Sequence, residues 1–223
     1  MKHEKCKYKM LEYVLSLPDN FVKNRQYPIV IFLHGAGTRG NDINVLLKNP
    51  YFSCAYASEY PFVSFAPQCY ADSWFDIFEQ LQDFIGFAVN HEYTNKDKAY
   101  MIGASMGGYA VWQMAMTMPD KFAAIVPICG GGMYWNADRL KGIKIWAFHG
   151  SEDACVFPEE SRKMIDAVNA SGGDARLTVC EGVGHNSWTA EYRDKSLFEW
   201  LFSQSREAHT NYVNKFNNHE KFG

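Results

Sequence analysis

Residues 99 to 118, Ala-Tyr-Met-Ile-Gly-Ala-Ser-Met-Gly-Gly-Tyr-Ala-Val-Trp-Gln-Met-Ala-Met-Thr-Met, restrict the fold more than any other stretch of this chain. Ala99 to Ile102 is a short apolar run, and Gly103-Ala104-Ser105-Met106-Gly107 interrupts it before helix-like residues resume. A strand, a sharp turn and a helix in direct succession predict a nucleophile elbow, the G-x-S-x-G pattern that holds a serine in a strained backbone conformation. That conformation needs small neighbours two residues to either side, which Gly103 and Gly107 supply. Gly108 lets the helix pack close to the strand. The helix N-terminus also directs free N–H groups and partial positive charge at the reacting centre. Taken alone, the motif is equally compatible with a Gly-rich turn around an ordinary serine.

The rest of the chain supplies the missing partners in order. Lys144 to Phe148 reads as an apolar strand ending in His149-Gly150-Ser151-Glu152-Asp153. Leu177 to Cys180 reads as another, followed by Glu181-Gly182-Val183-Gly184-His185. A carboxylate and a histidine therefore sit just past the carboxyl ends of strands, where open α/β sheets collect functional groups. Serine, acid, histidine is one of the known chain orders of a catalytic triad. His185 would act as general base on Ser105, and an acid, Asp153 or its neighbour Glu152, would orient the imidazole. His3, His91, His209 and His219 occupy polar terminal or helical contexts and read as surface. His34 and His149 each end a strand before glycine and read as histidines buried and hydrogen-bonded beneath the site. Pro28 to Leu33 is a further buried-strand candidate, opening into His34-Gly35-Ala36-Gly37-Thr38-Arg39-Gly40. The oxyanion donors are assigned to the N–H groups of Met106 and Ala36, with Gly37 as the alternative to Ala36. The Gly-Lys-Ser/Thr ending of a phosphate loop and the G-x-G-x-x-G dinucleotide fingerprint are both missing.

These blocks, with Ala66-Pro67-Gln68-Cys69, Trp74, Pro127 to Gly132 and Gly182 to Trp188, span about residues 28 to 202. Together they resemble the phospholipase/carboxylesterase and dienelactone-hydrolase-like branch of the α/β-hydrolases. Within it they look most like the small prolyl-oligopeptidase-like "predicted peptidases", which include feruloyl-type esterases. The resemblance implies an α/β-hydrolase fold, and the offset from His149-Gly150 selects Asp153 as the acid. One position departs from the pattern: Thr38 stands where such proteins commonly carry an acidic residue before Arg-Gly, so Arg39 lacks that partner. Dienelactone hydrolases proper use a cysteine nucleophile, whereas this chain has Ser105.

Alternating strand and helix signals predict an α/β architecture, a mostly parallel central sheet with helices on both faces. The elements expected are a strand or hairpin within Tyr8 to Leu17, a strand over Phe62 to Ala66 and a helical period from Trp74 to Val89. Downstream follow a strand over Phe122 to Ile128, a helix from Pro158 to Ala170 and a helix over Ser196 to Phe202. At 223 residues with 47% hydrophobic content, the chain is expected to form a single domain over 1–223, with its core between about 8 and 202 and a polar tail from 203. A net charge of −3 provides no basic footprint for nucleic acid. No apolar run is long enough to span a membrane. The N-terminal residues lack the pattern of a signal peptide. Cys6, Cys54, Cys69, Cys129, Cys155 and Cys180 show no metal-binding spacing and read as free thiols, which suggests the cytoplasm. Neither a metal nor a cofactor is expected.

Cys129 to Lys141 would connect two core elements and is too short to fold into a helical lid, so the site is expected to be open to soluble esters. Trp74, Tyr134, Trp135 and Trp188 are placed at the rim as candidate contacts for an aromatic acyl group or a sugar. Trp135 serves equally well as a packing residue, and Trp188 better as a brace for the His185 loop. The chemistry that follows is hydrolysis of a small-molecule carboxylic ester through an acyl-enzyme. A small peptidase or an acyl thioesterase is the alternative, and a non-catalytic hydrolase-shaped binding protein comes third.

Overall fold

The computed structural model describes residues 1–53 and 60–206. Its centre is β3 (Tyr27–Leu33), whose period-two alternation sorts side chains into two separate cores. Tyr27, Ile29, Ile31 and Leu33 point into one, Val30 and Phe32 into the other. β5 (Thr94–Ala104) divides in the same way, with Ala99 and Met101 on the first side and Tyr100, Ile102 and Ala104 on the second. A strand apolar on both faces needs cover on both, and helices provide it. α2 (Phe78–Val89), α3 (Met106–Thr117) and α4 (Pro158–Ala170) contribute to the first core. α1 (Ile43–Leu47) and α6 (Lys195–Ser203) contribute to the second, against which Trp188 of the short α5 (Trp188–Glu191) also packs.

The remaining strands are β1 (Lys2–Tyr8), β2 (Leu11–Leu17), β4 (Val63–Pro67), β6 (Ala124–Ile128), β7 (Lys144–Gly150) and β8 (Asp174–Cys180). They form one eight-stranded sheet in the order β1-β2-β4-β3-β5-β6-β7-β8. β1 and β2 pair antiparallel, as do β2 and β4, and every other neighbouring pair is parallel. The chain leaves β3 toward one side of the sheet and returns from β4 to β5 on the other. The carboxyl ends of β3 and β5, where Leu33 pairs with Gly103, therefore flank a topological switch point. A crevice forms there because the two following connections diverge.

Two expectations change. The helical period read from Trp74 begins as a helix only at Phe78, because Ser73 Oγ accepts from the N–H groups of Phe75 and Asp76 and folds that stretch into a turn. Phe75 is consequently exposed instead of facing the core. The N-terminal strand signal proves to be a hairpin that extends to Lys2, so the sheet starts before the expected core boundary. β1 escapes a hydrophobic reading because its sequence, Lys-His-Glu-Lys-Cys-Lys-Tyr, is that of a mostly exposed edge strand. Cys54, His209 and His219, and the polar tail from residue 207, lie outside the described residues.

Candidate active site

Ser105 follows β5 directly and precedes α3, with φ 55° and ψ −121°. A non-glycine residue is rarely found at such a positive φ, and this one is held there by its surroundings. Its N–H donates to Ile128 O at 2.9 Å, and its own carbonyl accepts from Tyr109 N–H. The turn closes only without side chains: a Cβ on Gly107 would run into the Leu33 carbonyl oxygen, and one on Gly103 would lie 2.6 Å from Gly107 O.

His185, in the loop after β8, accepts at Nε2 from the Ser105 hydroxyl at 2.9 Å. Its Nδ1 lies 2.7 Å from Asp153 Oδ2. A carboxylate only accepts, so the proton belongs on Nδ1, and Nε2 is left free to take the serine proton. Asp153, in the loop after β7, is 3% exposed. Its Oδ1 accepts from the N–H groups of Cys155 and Val156, each at 2.9 Å. Burial alone would push this carboxyl up, but the His185 ring and the two backbone N–H groups together hold it below the ordinary carboxylate value. Glu152, the competing acid, is not a partner of His185: its backbone N–H instead docks on Val183 O.

Ala36 opens a short 3-10 helix, Ala36–Thr38, at the carboxyl end of β3. Met106 opens α3. First-turn N–H groups have no acceptor inside their own helix, which leaves both free for a ligand. Ala36, Gly37 and Thr38 line a cavity of about 300 Å³ together with Gly35, Asn49, Ala104, Ser105, His185, Trp188 and Tyr192. The loop is pinned from the segment after β4. His34, fully buried, donates from Nδ1 to Gly35 O at 2.7 Å and accepts at Nε2 from Cys69 N–H at 2.9 Å. Burial pushes its imidazole down to about 4. Gln68 Nε2 donates to the carbonyls of Thr38 and Asp42, and Arg39 spans the carbonyls of Ala36 and Asp72. With Thr38 in place of an acid, Arg39 thus holds backbone instead of forming a salt bridge.

The four aromatic residues assigned to the rim separate. Trp188 lines the cavity and sets its edge against His185, ring centroids 5.5 Å apart. Tyr134 and Trp135 lie in a 3-10 helix, Tyr134–Leu140, packed edge to face against each other and exposed, but they do not line the cavity. Trp74 does not reach the rim: it is 1% exposed and donates from Nε1 to His34 O, bracing the start of the loop after β3. A residue type near a motif does not encode the direction of its side chain. Asn49 and Tyr192 line the cavity without carrying any motif, so sequence reasoning passed them over.

Cys129, at the end of β6, brings its Sγ within 4.8 Å of the Asp153 carboxylate and a His185 ring nitrogen, a donor set that sequence spacing did not suggest. Burial holds this thiol at about 12, protonated, and the other two groups already satisfy each other. The trio therefore reads as a hydrogen-bonded Asp153–His185 pair with a neutral thiol beside it.

Residues 64–141, from β4 through the segment that follows β6, match the prolyl oligopeptidase family. No curated protein matches the chain. Among solved structures, a thermostable esterase is 31% identical, with a TM-score of 0.82 over 92% of this chain and 63% of its own. The chain thus spans somewhat under two thirds of that esterase's length. A ferulic acid esterase superposes with a TM-score of 0.71 at 14% identity, covering 91% of this chain and 97% of its own. The feruloyl esterase module of Clostridium thermocellum, in complex with sinapinate, does so at 0.65 and 18%, covering 86% and 84%.

Proposed function

We propose that this chain, which has the α/β-hydrolase fold, is a serine hydrolase of small carboxylic esters. The observation that carries the reading is the continuous hydrogen-bonded line from Ser105 Oγ through His185 to the buried Asp153, with the serine held at a positive φ beside two candidate oxyanion donors. Ser105 Oγ attacks the ester carbonyl while His185 Nε2 takes its proton. The N–H groups of Ala36 and Met106 receive the developing oxyanion, with Gly37 as the alternative to Ala36. His185 then protonates the leaving alcohol, and an acyl-enzyme remains. Water attacks the acyl carbon as Nε2 takes one of its protons, and the bond to Ser105 Oγ then breaks as His185 returns that proton to the serine, releasing the acid. Asp153 keeps its charge throughout and stabilises the imidazolium.

The substrate enters a cavity whose walls include Ala104, Trp188 and Tyr192, which suits a short or flat acyl group. Asn49 offers an amide on the same wall. Among the described residues no helix is long and apolar enough to cross a membrane. The five described cysteines are free thiols, which supports a reducing compartment such as the cytoplasm.

Intact-mass labelling with a fluorophosphonate tests the assignment, on wild type and Ser105→Ala, followed by a panel of aryl and alkyl esters. Stoichiometric labelling that disappears in the variant is the expected result. A well-folded wild type that takes no label overturns the reading and favours a binding protein. A peptidase is the second reading, favoured by the prolyl oligopeptidase match over residues 64–141. Matched ester and anilide substrates separate the two, and ester turnover is expected to dominate.

A further inference from the structure

His149 is the last residue but one of β7, four residues before the acid, and takes no part in the line from Ser105 to Asp153. It is nevertheless fully buried against that carboxylate. Its Nε2 lies 2.9 Å from Val156 O and 3.3 Å from Asp153 Oδ2. Both side chains, His149 and Asp153, are shut off from solvent. Val156 O can only accept, so Nε2 must carry a hydrogen, and that hydrogen is shared between the carbonyl and the carboxylate.

The other ring nitrogen decides little about this. Nδ1 lies 2.7 Å from Ser161 Oγ, and the same oxygen lies 2.9 Å from Gly130 O. Ser161 has one hydroxyl hydrogen for two directions. Aimed at Nδ1, it leaves His149 neutral with its proton on Nε2. Aimed at Gly130 O, it obliges Nδ1 to donate, and His149 is then an imidazolium beside the Asp153 charge. The Nε2–H is present in both states.

We propose that His149 is a positioning residue for the acid, its Nε2–H, held in place by Val156 O, acting as a fourth donor to Asp153. Oδ1 takes the N–H groups of Cys155 and Val156, and Oδ2 is shared by the two imidazoles. The proposal rests on the serine-hydrolase reading of Ser105, Asp153 and His185. A donor on Oδ2 draws negative charge away from His185 and moderates its basicity. It also fixes the plane of the carboxylate, and with it the direction in which His185 Nε2 faces Ser105.

The other titratable groups around this pair are Cys129 at the end of β6, Tyr109 on α3, Glu160 on α4, and Cys155 on the acid's own loop. Burial holds the Cys129 thiol at about 12, and burial with the Glu160 and Asp153 charges raises the Tyr109 phenol. Neither of those two ionises near neutral pH. Glu160 and Cys155 are common to every variant compared.

Histidine-labelled full-length protein, wild type, His149→Gln and His149→Leu, is titrated by NMR and assayed for kcat and KM across pH. His149→Leu removes the donor, so the His185 midpoint and the acid limb of kcat/KM should both move up by about half a pH unit or more. Its kcat should fall roughly tenfold with KM little changed. Gln places an amide N–H where Nε2 was and should restore both. A His185 midpoint in folded His149→Leu within about 0.2 of wild type overturns the proposal. Loss of fluorophosphonate labelling in wild type would sink the esterase reading instead, while the His185 titration still decides the role of His149. Where His149→Leu does not fold, the wild-type spectrum decides. A protected proton on His149 Nε2 whose resonance moves in Asp153→Asn supports the proposal, and an unprotonated Nε2 overturns it.

Discussion

Two residues of the site tie its integrity to pH, and they act in adjacent windows. His34 is held at about 4, below its ordinary 6.5, by burial under the oxyanion loop. Between those values the unfolded chain binds a proton that the folded chain refuses, so stability falls as pH drops from about 6.5 to about 4. The loss amounts to roughly 3 kcal/mol at most, and His34 contributes nothing further below that. Asp153 sits below the ordinary carboxylate value, so its contribution is complete above that value and disappears as pH falls through the lower one. His34→Gln should keep an acceptor for Cys69 N–H while removing the proton site. Urea unfolding at pH 7 and pH 5 should then show a smaller difference for the variant than for wild type, and equal differences would exclude His34 as the source. For catalysis the residue to change is Asp153: Asp153→Asn loses the correct imidazole tautomer and should lower kcat by about 10⁴. Steady-state kinetics on a wild-type ester substrate checks this, and a loss under tenfold would refute its role. Much of this was legible in the chain, because Ser105, Asp153 and His185 each follow a strand and a glycine. The direction of Trp74 and the presence of Asn49 and Tyr192 at the cavity were not, since both depend on packing between elements distant in sequence.

At the scale of elements, the site is a matter of how closely α3 lies against β3, β5 and β6. A Cβ on Gly107 would collide with the Leu33 carbonyl, and one on Gly108 would lie 2.5 Å from Ile128 O. Backbone cannot yield as a flexible side chain would, so α3 must move as a whole or the turn must open. Gly107→Ala should therefore cost more than about 4 kcal/mol or prevent folding, the range of severe steric lesions. Gly37→Ala places its methyl group in open space, with nothing within 4 Å, and should stay within about 0.5 kcal/mol of wild type. Thermal unfolding of the pair tests the contrast, and similar melting temperatures would show that the elbow is not tightly packed. The glycine pattern announced this contact, β3, β7 and the Ala99–Ile102 part of β5 announced themselves as apolar runs, and β6 as a strand, while the polar first half of β5 did not. α2 did not announce its start, because the apolar spacing at Trp74 and Phe75 mimics a helix while Ser73 caps a turn.

For the whole molecule, the reversal of strand order between β3 and β5 decides where a ligand meets the nucleophile and how much room it has. The Gly35–Thr38 loop leaves one strand end and Ser105 the other, so the crevice is walled by connections that the core already needs. Its volume, about 300 Å³, lies at the small end of ligand pockets. Among the described residues the connection after β6 holds the 3-10 helix Tyr134–Leu140, which packs on α3 and α4, and none of its residues lines the cavity at Ser105. A lipase lid opens at an interface, and a site that this connection leaves uncovered gains nothing from one. Hydrolysis of a short-chain ester should therefore follow a simple saturation curve straight through the substrate's solubility limit. An acyl chain longer than the crevice must leave its end in water, which forfeits about 0.8 kcal/mol for each methylene that stays unburied. Laurate esters should consequently show no gain in kcat/KM over butyrate esters, and a tenfold gain, or a rate jump on emulsified laurate, would show that the crevice opens wider than its walls now stand.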